Sequence, residues 1–240
     1  MLSNLPTVEQ MLNVDVMVST LPLYFSGTVV TLKLLAAALI AGLLVAIPLA
    51  VMRASPNPWL SRPVWLFTYV FRGTPLLVQL FIIYYGLAQF SWMRESVLWP
   101  LFSSAWFCCM FAFAINTCAY TTEIIAGALT ATHHGEVEAA RAMGMSPFTL
   151  YRRILLPSAL RRSLPAYSNE AIMMLHGTSL ASIVTLMDLT GAAREVNSRY
   201  YLPFEAFITA AGFYLALTFI LVSLFHLAEK RWLVHLAPRT

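Results

Sequence analysis

The sequence predicts an all-α integral membrane protein with about five transmembrane helices, and three observations predict it. Charged residues make up 11% of the 240-residue chain and hydrophobic residues 59%, where a soluble domain carries roughly 25% charged residues. Apolar runs close to the roughly 20 residues that a helix needs to cross a bilayer recur along the chain. Between two of them lies one polar stretch, Gly135-Glu136-Val137-Glu138-Ala139-Ala140-Arg141-Ala142-Met143-Gly144, followed by Leu156-Pro157, which suits a short amphipathic helix in water. Nothing resembles a linker, so residues 1–240 read as a single membrane domain.

The spans follow in order. Residues 25–52 form the first: Leu34 to Met52 carries no charge, Gly27 to Lys33 extends it outward, and Arg53-Ala54-Ser55-Pro56 ends it. The second, 64–90, is apolar but broken at Arg72-Gly73-Thr74-Pro75. It reads either as one kinked span or as an interfacial turn followed by a span from Pro75. The third, 98–131, is uncharged up to Glu123; the fourth, 166–187, carries Glu170 and His176. The fifth, 205–228, stops at Glu229-Lys230-Arg231-Trp232. Leu2, Leu5, Val8 and Leu12 are spaced for a helix on the outer surface over residues 1–20. The N-terminus lacks the basic-then-apolar pattern of a cleaved signal peptide, so the first span is expected to act as an uncleaved signal.

Orientation follows from Lys and Arg, which are enriched in cytoplasmic loops. Five spans put Arg53, Arg62, Arg141, Arg152, Arg153, Arg161, Arg162, Lys230, Arg231 and Arg239 on one side. Only Arg94, Arg194 and Arg199 fall on the other, ten against three. The N-terminus is therefore expected outside, and the C-terminus and the loop 132–164 in the cytoplasm. The net charge of +4 sits on that one side, so it speaks of orientation in a lipid bilayer and not of a nucleic-acid partner. Cys108, Cys109 and Cys118 share one apolar run without metal-ligand spacing and read as packing residues.

Within the loop, Gly144 suits the left-handed position just past a helix end, and Ser146-Pro147 a cap and first helical residue. A helix-turn-helix between membrane spans is a docking surface for a soluble partner, with Val137, Ala140 and Met143 as its small apolar face. It resembles the Glu-Ala-Ala loop of ABC-importer membrane subunits, with Glu138, Ala139, Ala140, Gly144, Leu156 and Pro157 in the motif's places. Phe71 to Leu80, Leu164 to Glu170 and Pro203-Phe204-Glu205 resemble polar-amino-acid ABC permeases. Asn116 to Glu123 and His134 to Ala142 look most like the M-type permeases of histidine/lysine/arginine/ornithine systems, with octopine and nopaline permeases close behind. His176, where many members carry Lys, and Met143, in place of Leu or Tyr, depart from the pattern. The resemblance implies a type I ABC importer permease fold in a bacterial inner membrane. It implies a second homologous permease subunit (a heterodimer favoured, a homodimer open), two ABC ATPase subunits and a periplasmic amino-acid-binding protein. ATP and Mg would sit on the ATPase subunits, with no cofactor on this chain. Glu136, Glu138, Ala139, Ala140, Arg141 and Gly144 would be the ATPase-coupling positions.

Ionisable groups inside spans cost about 2.5–3.5 kcal/mol on insertion scales and usually face a bundle interior or a water path. Counting about 1.5 Å per residue from the cytoplasmic side puts Arg72 roughly 14 Å deep, Glu123 12 Å, Glu170 8 Å and His176 17 Å. Matched depth and opposite charge suggest an Arg72–Glu123 pair, read equally as an inner gate or as a packing ion pair. Asn116, Tyr120 and Glu123 share one helix face with Gly127, and Asn169 shares another with Met173 and His176. These stripes suit a pathway for a zwitterion, with Glu170 left to compensate a cationic side chain. Interhelical hydrogen bonds of about 0.6 kcal/mol each are the plainer alternative. Arg152-Arg153 and Arg161-Arg162 are expected to anchor the loop at anionic headgroups.

Other function classes fit less well. His133-His134 beside Glu136 lacks the H-E-x-x-H order of a helix-borne zinc site, no G-x-S-x-G exists, and no catalytic or metal-ligating set emerges. Gly73-Thr74-Pro75 is no phosphate-binding loop. An ion-coupled amino-acid carrier or a channel subunit is the stronger rival, but such carriers usually repeat their spans, and an odd number argues against simple duplication. The discriminating property is the energy source.

Overall fold

The computed structural model describes residues 12–232, and every regular element among them is helical. The first helix, α1, runs Val14–Arg53, 40 residues or about 60 Å, twice the roughly 30 Å hydrocarbon core. It starts well before residue 25, because hydropathy does not end a helix that packing and caps sustain. Asn13 accepts from the Val16 amide at 3.2 Å, and its own amide donates to Glu205 Oε1 at 3.2 Å. Of the expected outer-surface helix, residues 1–11 lie outside the described residues, and from Val14 the chain already belongs to α1.

The second span breaks into α2, Pro58–Gly73, and α3, Leu76–Gln89, which bend by 101°. Thr74 and Pro75 are extended, at φ −114° and −62°, since a residue before proline avoids the helical region. The break is closed internally. Gln79 Nε2 donates to the carbonyls of Phe71 (2.7 Å) and Thr74 (3.1 Å), satisfying acceptors that the end of α2 leaves free. Two short helices follow, α4 (Ser91–Arg94) and α5 (Trp99–Phe102), before α6, Ala105–Thr130. The third span thus begins at Ala105 and not at 98, because Ser104 is extended at ψ 122°.

The loop holds α7, His134–Ala142, and α8, Pro147–Leu150, and a π turn over Tyr151–Leu155 leads into α9, Leu156–Gly177. The fourth span is therefore helical long before residue 166, arginines included. It tightens to a 3-10 turn over Thr178–Val184 and stops where Thr185 takes φ +70°. Asp188 then caps α10, Leu189–Tyr200, by accepting from the Gly191 amide at 2.9 Å, and α11 runs Pro203–Trp232. Among the described residues, three helices, α1, α6 and α11, are long and apolar enough to cross a bilayer by themselves, and the two bent pairs raise the number to as many as five.

Small residues bring α1 and α6 together, as is common where helices meet in lipid. Ala38, Ala46 and Ala50 are fully buried, and a Cβ on Gly42 would lie 3.0 Å from the Ala114 carbonyl oxygen. Toward the N-terminal end of α1, Tyr24 donates to the Ala206 carbonyl at 2.9 Å inside a buried cluster with Leu189, Val196 and Ala210. There α1 touches the turn before α10 backbone to backbone: a Cβ on Gly27 would sit 2.7 Å from the Asp188 carbonyl oxygen. Gly27→Ala is therefore expected to destabilise the protein by about 1–3 kcal/mol, read as a lower unfolding midpoint in detergent; an unchanged midpoint would mean that this crossing yields freely.

Candidate substrate cavity and coupling surface

One cavity of about 690 Å³ opens between α3, α6 and α9. Asn116, Tyr120, Asn169, Glu170 and His176, five of the six residues expected on a substrate pathway, lie in its wall with Leu76 and Met173. Helical spacing brings them there: Asn116 and Tyr120 are one turn apart on α6, and Asn169, Met173 and His176 climb one face of α9. Asn116 Nδ2 donates to Gln79 Oε1 at 3.1 Å, so the glutamine that closes the α2–α3 break also orients the cavity wall. Gln79 escaped the sequence reading as a lone polar residue in an apolar run. His176 Nε2 lies 3.3 Å from Thr218 Oγ1 on α11. Glu170 is 8% exposed and forms no ion pair among the described residues.

Glu123, the sixth, lies elsewhere. Its Oε1 accepts from Arg53 Nε at 2.8 Å and from Thr68 Oγ1 at 2.6 Å. The expected Arg72–Glu123 pair is not formed. Arg72 instead lies over the Tyr120 ring, 5.2 Å from Cζ to centroid, while the Tyr120 hydroxyl donates to the Arg72 carbonyl at 3.4 Å. Equal depth for Arg72 and Glu123 requires α2 to run toward the midplane in line with the rest of its span, and the 101° bend removes that premise. In the sequence Arg53 marks the end of the first span and its basic side, with no sign of this carboxylate partner. It also donates to Ser61 Oγ at 3.3 Å, so α1, α2 and α6 are joined at one end.

The loop 132–164 has the expected local geometry. Gly144 sits at φ +75°; its amide donates to the Arg141 carbonyl at 2.9 Å, and the next amide, of Met145, to that of Ala140 at 3.2 Å. Those paired bonds are the Schellman termination of a helix. Ser146 Oγ accepts from the Thr149 amide at 3.3 Å, and Pro147 opens α8. Glu136, Glu138, Ala139 and Arg141 are exposed, Glu136 in the first turn and Arg141 in the last, where each sign suits the helix dipole. Ala140 differs from expectation. It is 1% exposed and packs inward on Leu150, Leu155 and Ile125, with Val137 half-buried against them. The solvent-facing apolar surface consists of Met143 and Phe148, 71% and 72% exposed. The four arginines expected at headgroups divide: Arg152, Arg153 and Arg161 are exposed, but Arg162 turns inward to the Ala128 carbonyl at 2.9 Å.

Residues 38–234 match the family described as binding-protein-dependent transport system inner membrane component. The chain belongs to that family. Among individual members, it is 50% identical to the histidine/lysine/arginine/ornithine transport system permease protein HisM of Salmonella typhimurium, over 90% of this chain and 92% of that one. It is 47% identical to the octopine transport system permease protein OccM of Rhizobium meliloti, over 85% and 83%. It is 43% identical to the nopaline transport system permease protein NocM of Agrobacterium fabrum, over 91% of each. A solved amino-acid ABC transporter with histidines matches with a TM-score of 0.79 at 36% identity, over 90% of this chain and 96% of that one. The inward-facing MetNI methionine ABC transporter shares the fold, with a TM-score of 0.66 at 21% identity, over 88% and 94%. As a binding-protein-dependent inner membrane component, this all-α chain is a non-catalytic permease subunit of an ABC importer, and ATP is used by separate ATPase subunits.

Proposed function

We propose that this permease carries polar, cationic amino acids or related opines through the cavity beside Glu170. The observation that carries this reading is an asymmetry between two carboxylates. Glu123 is compensated by Arg53, whereas Glu170 lies in the cavity wall without an ion pair among the described residues. A cationic side chain would meet Glu170, and Arg72, which lies over the ring of the cavity-lining Tyr120, would face the substrate's α-carboxylate, since complementary charge discriminates ligands. Asn169 and Met173 leave the wall exposed, so a second, homologous permease bundle is the natural lid. The M-type resemblance favours a heteromer. The N-terminus lies outside and the C-terminus in the cytoplasm of a bacterial inner membrane. Lys33 and Arg53, about 30 Å apart along α1, bracket one hydrocarbon thickness. The exposed face of α7, with Glu136, Glu138, Ala139 and Arg141, docks an ATPase subunit, and a periplasmic binding protein delivers the substrate.

Glu170→Gln tests the substrate reading in proteoliposomes supplied with receptor and ATPase. Uptake of arginine should fall roughly tenfold, the equivalent of about 1.4 kcal/mol, and uptake of its neutral isostere citrulline far less. Equal loss of both, with unchanged receptor affinity, would make Glu170 structural and leave selectivity to the receptor.

A further inference from the structure

The inward turn of Arg162 gives it a task at the neck of the coupling loop. Its Nη2 donates to the Ala128 carbonyl at 2.9 Å and to Thr132 Oγ1 at 2.6 Å, and its Nη1 to Ser158 Oγ at 2.9 Å. Ala128 lies in the last turn of α6, which ends at Thr130. Helix-end carbonyls there have no intrahelical donor and carry the negative end of the helix dipole. The Thr132 amide bonds to Leu129 instead, so the Arg162 guanidinium supplies the donor that the Ala128 carbonyl lacks. Thr132 is itself buried and precedes α7 by two residues. One side chain on α9 thus holds the point where α6 ends and the coupling helix begins.

We propose that Arg162 is a positioning residue for energy coupling, a clamp that makes α6, α7 and α9 move as one body. The two spans it joins carry opposite walls of the cavity, Asn116 and Tyr120 on α6 and Asn169 and Glu170 on α9. A push on α7 therefore reaches both walls together; with the neck open, it would swing α7 about residues 131–133 and leave the cavity unchanged. Both bonds that leave α9 come from Nη2, and the Nη1 bond to Ser158, on α9 itself, fixes the plane of the guanidinium that aims them; a lysine ammonium keeps the charge but not that planar hold. This inference rests on the reading that α7 docks an ATPase subunit.

The test compares Arg162→Met, Arg162→Lys and Arg161→Met in the assembled transporter, measuring receptor-stimulated ATP hydrolysis and substrate uptake in the same proteoliposomes. Arg162→Met should keep hydrolysis near wild type while uptake falls roughly tenfold, as expected for loss of hydrogen bonds from a charged donor. Arg162→Lys should fall between, and Arg161→Met, at an exposed position, should match wild type. A wild-type ratio of ATP hydrolysed to substrate moved in Arg162→Met overturns the clamp. If that variant does not accumulate, Thr132→Val decides, because it removes one acceptor and keeps the charge: a raised ratio supports the clamp and an unchanged ratio overturns it. Failure of the underlying reading looks different, since Glu138→Lys would then leave ATPase binding and uptake intact whatever Arg162 does.

Discussion

Gly144→Ile is expected to reach the membrane at wild-type levels and to lose ATP-driven uptake almost completely. Gly144 holds φ +75°, and a side chain in that region costs about 1–2 kcal/mol, more for a β-branched one. The strain falls on the two Schellman bonds that end α7 and turn the chain toward α8. No Cβ clash enters, since nothing lies within 4 Å of the position where one would be built. The effect is therefore conformational and confined to the turn, leaving the buried helices able to insert. Met143 and Phe148, the exposed apolar pair on either side of the turn, would separate, and the docking surface with them. Glu138→Lys attacks the same surface by charge alone. Uptake and ATPase co-purification, each normalised to membrane protein, are the measurements. Normal values for both variants would remove the loop from coupling.

How much of this was legible in the sequence depended on the range of the interaction. The turn at Gly144 was legible because a glycine followed by Ser146-Pro147 is a local signal. Asn116 and Tyr120, and Asn169 and His176, were legible as two helical stripes because α6 and α9 are regular through those residues, and Glu170 was legible as a charge inside a span. The partner of Glu123 was not, since depth along a span carries no azimuth and Arg53 reaches it from the end of another helix. Ala140 was placed on the wrong face because a nine-residue helix with alanines on several sides does not declare which side is buried. Gln79 was hidden for a different reason. Its two tasks, closing the α2–α3 break and holding Asn116, arise only once the chain has bent by 101°.

Breaking the Arg53–Glu123 contact is expected to destabilise the protein by about 1.5–3 kcal/mol, the usual worth of hydrogen bonds to a charged group. Glu123→Ala removes the acceptor of Arg53 Nε, while the buried Thr68 hydroxyl, which shares that carboxylate oxygen, keeps the Trp65 carbonyl at 3.0 Å as an acceptor. The side chains of Arg53 and Glu123 are 28% and 22% exposed, so solvent recovers part of the loss and the upper end of that range is a ceiling. Arg53→Met and Glu123→Ala combined should cost less than their sum by about 0.5–3 kcal/mol, as residues in direct contact do. Arg72→Gln and Glu123→Ala should add to within about 0.5 kcal/mol, because Arg72 is engaged by Tyr120. Reversible unfolding in mixed micelles reads both cycles. Coupling on Arg72 and none on Arg53 would overturn the assignment. The contact also holds α2 against α6, and the last turn of α2 carries Arg72, which lies over the ring of the cavity-lining Tyr120. Glu123→Ala should therefore raise the substrate concentration for half-maximal uptake as well, although Glu123 itself does not line the cavity.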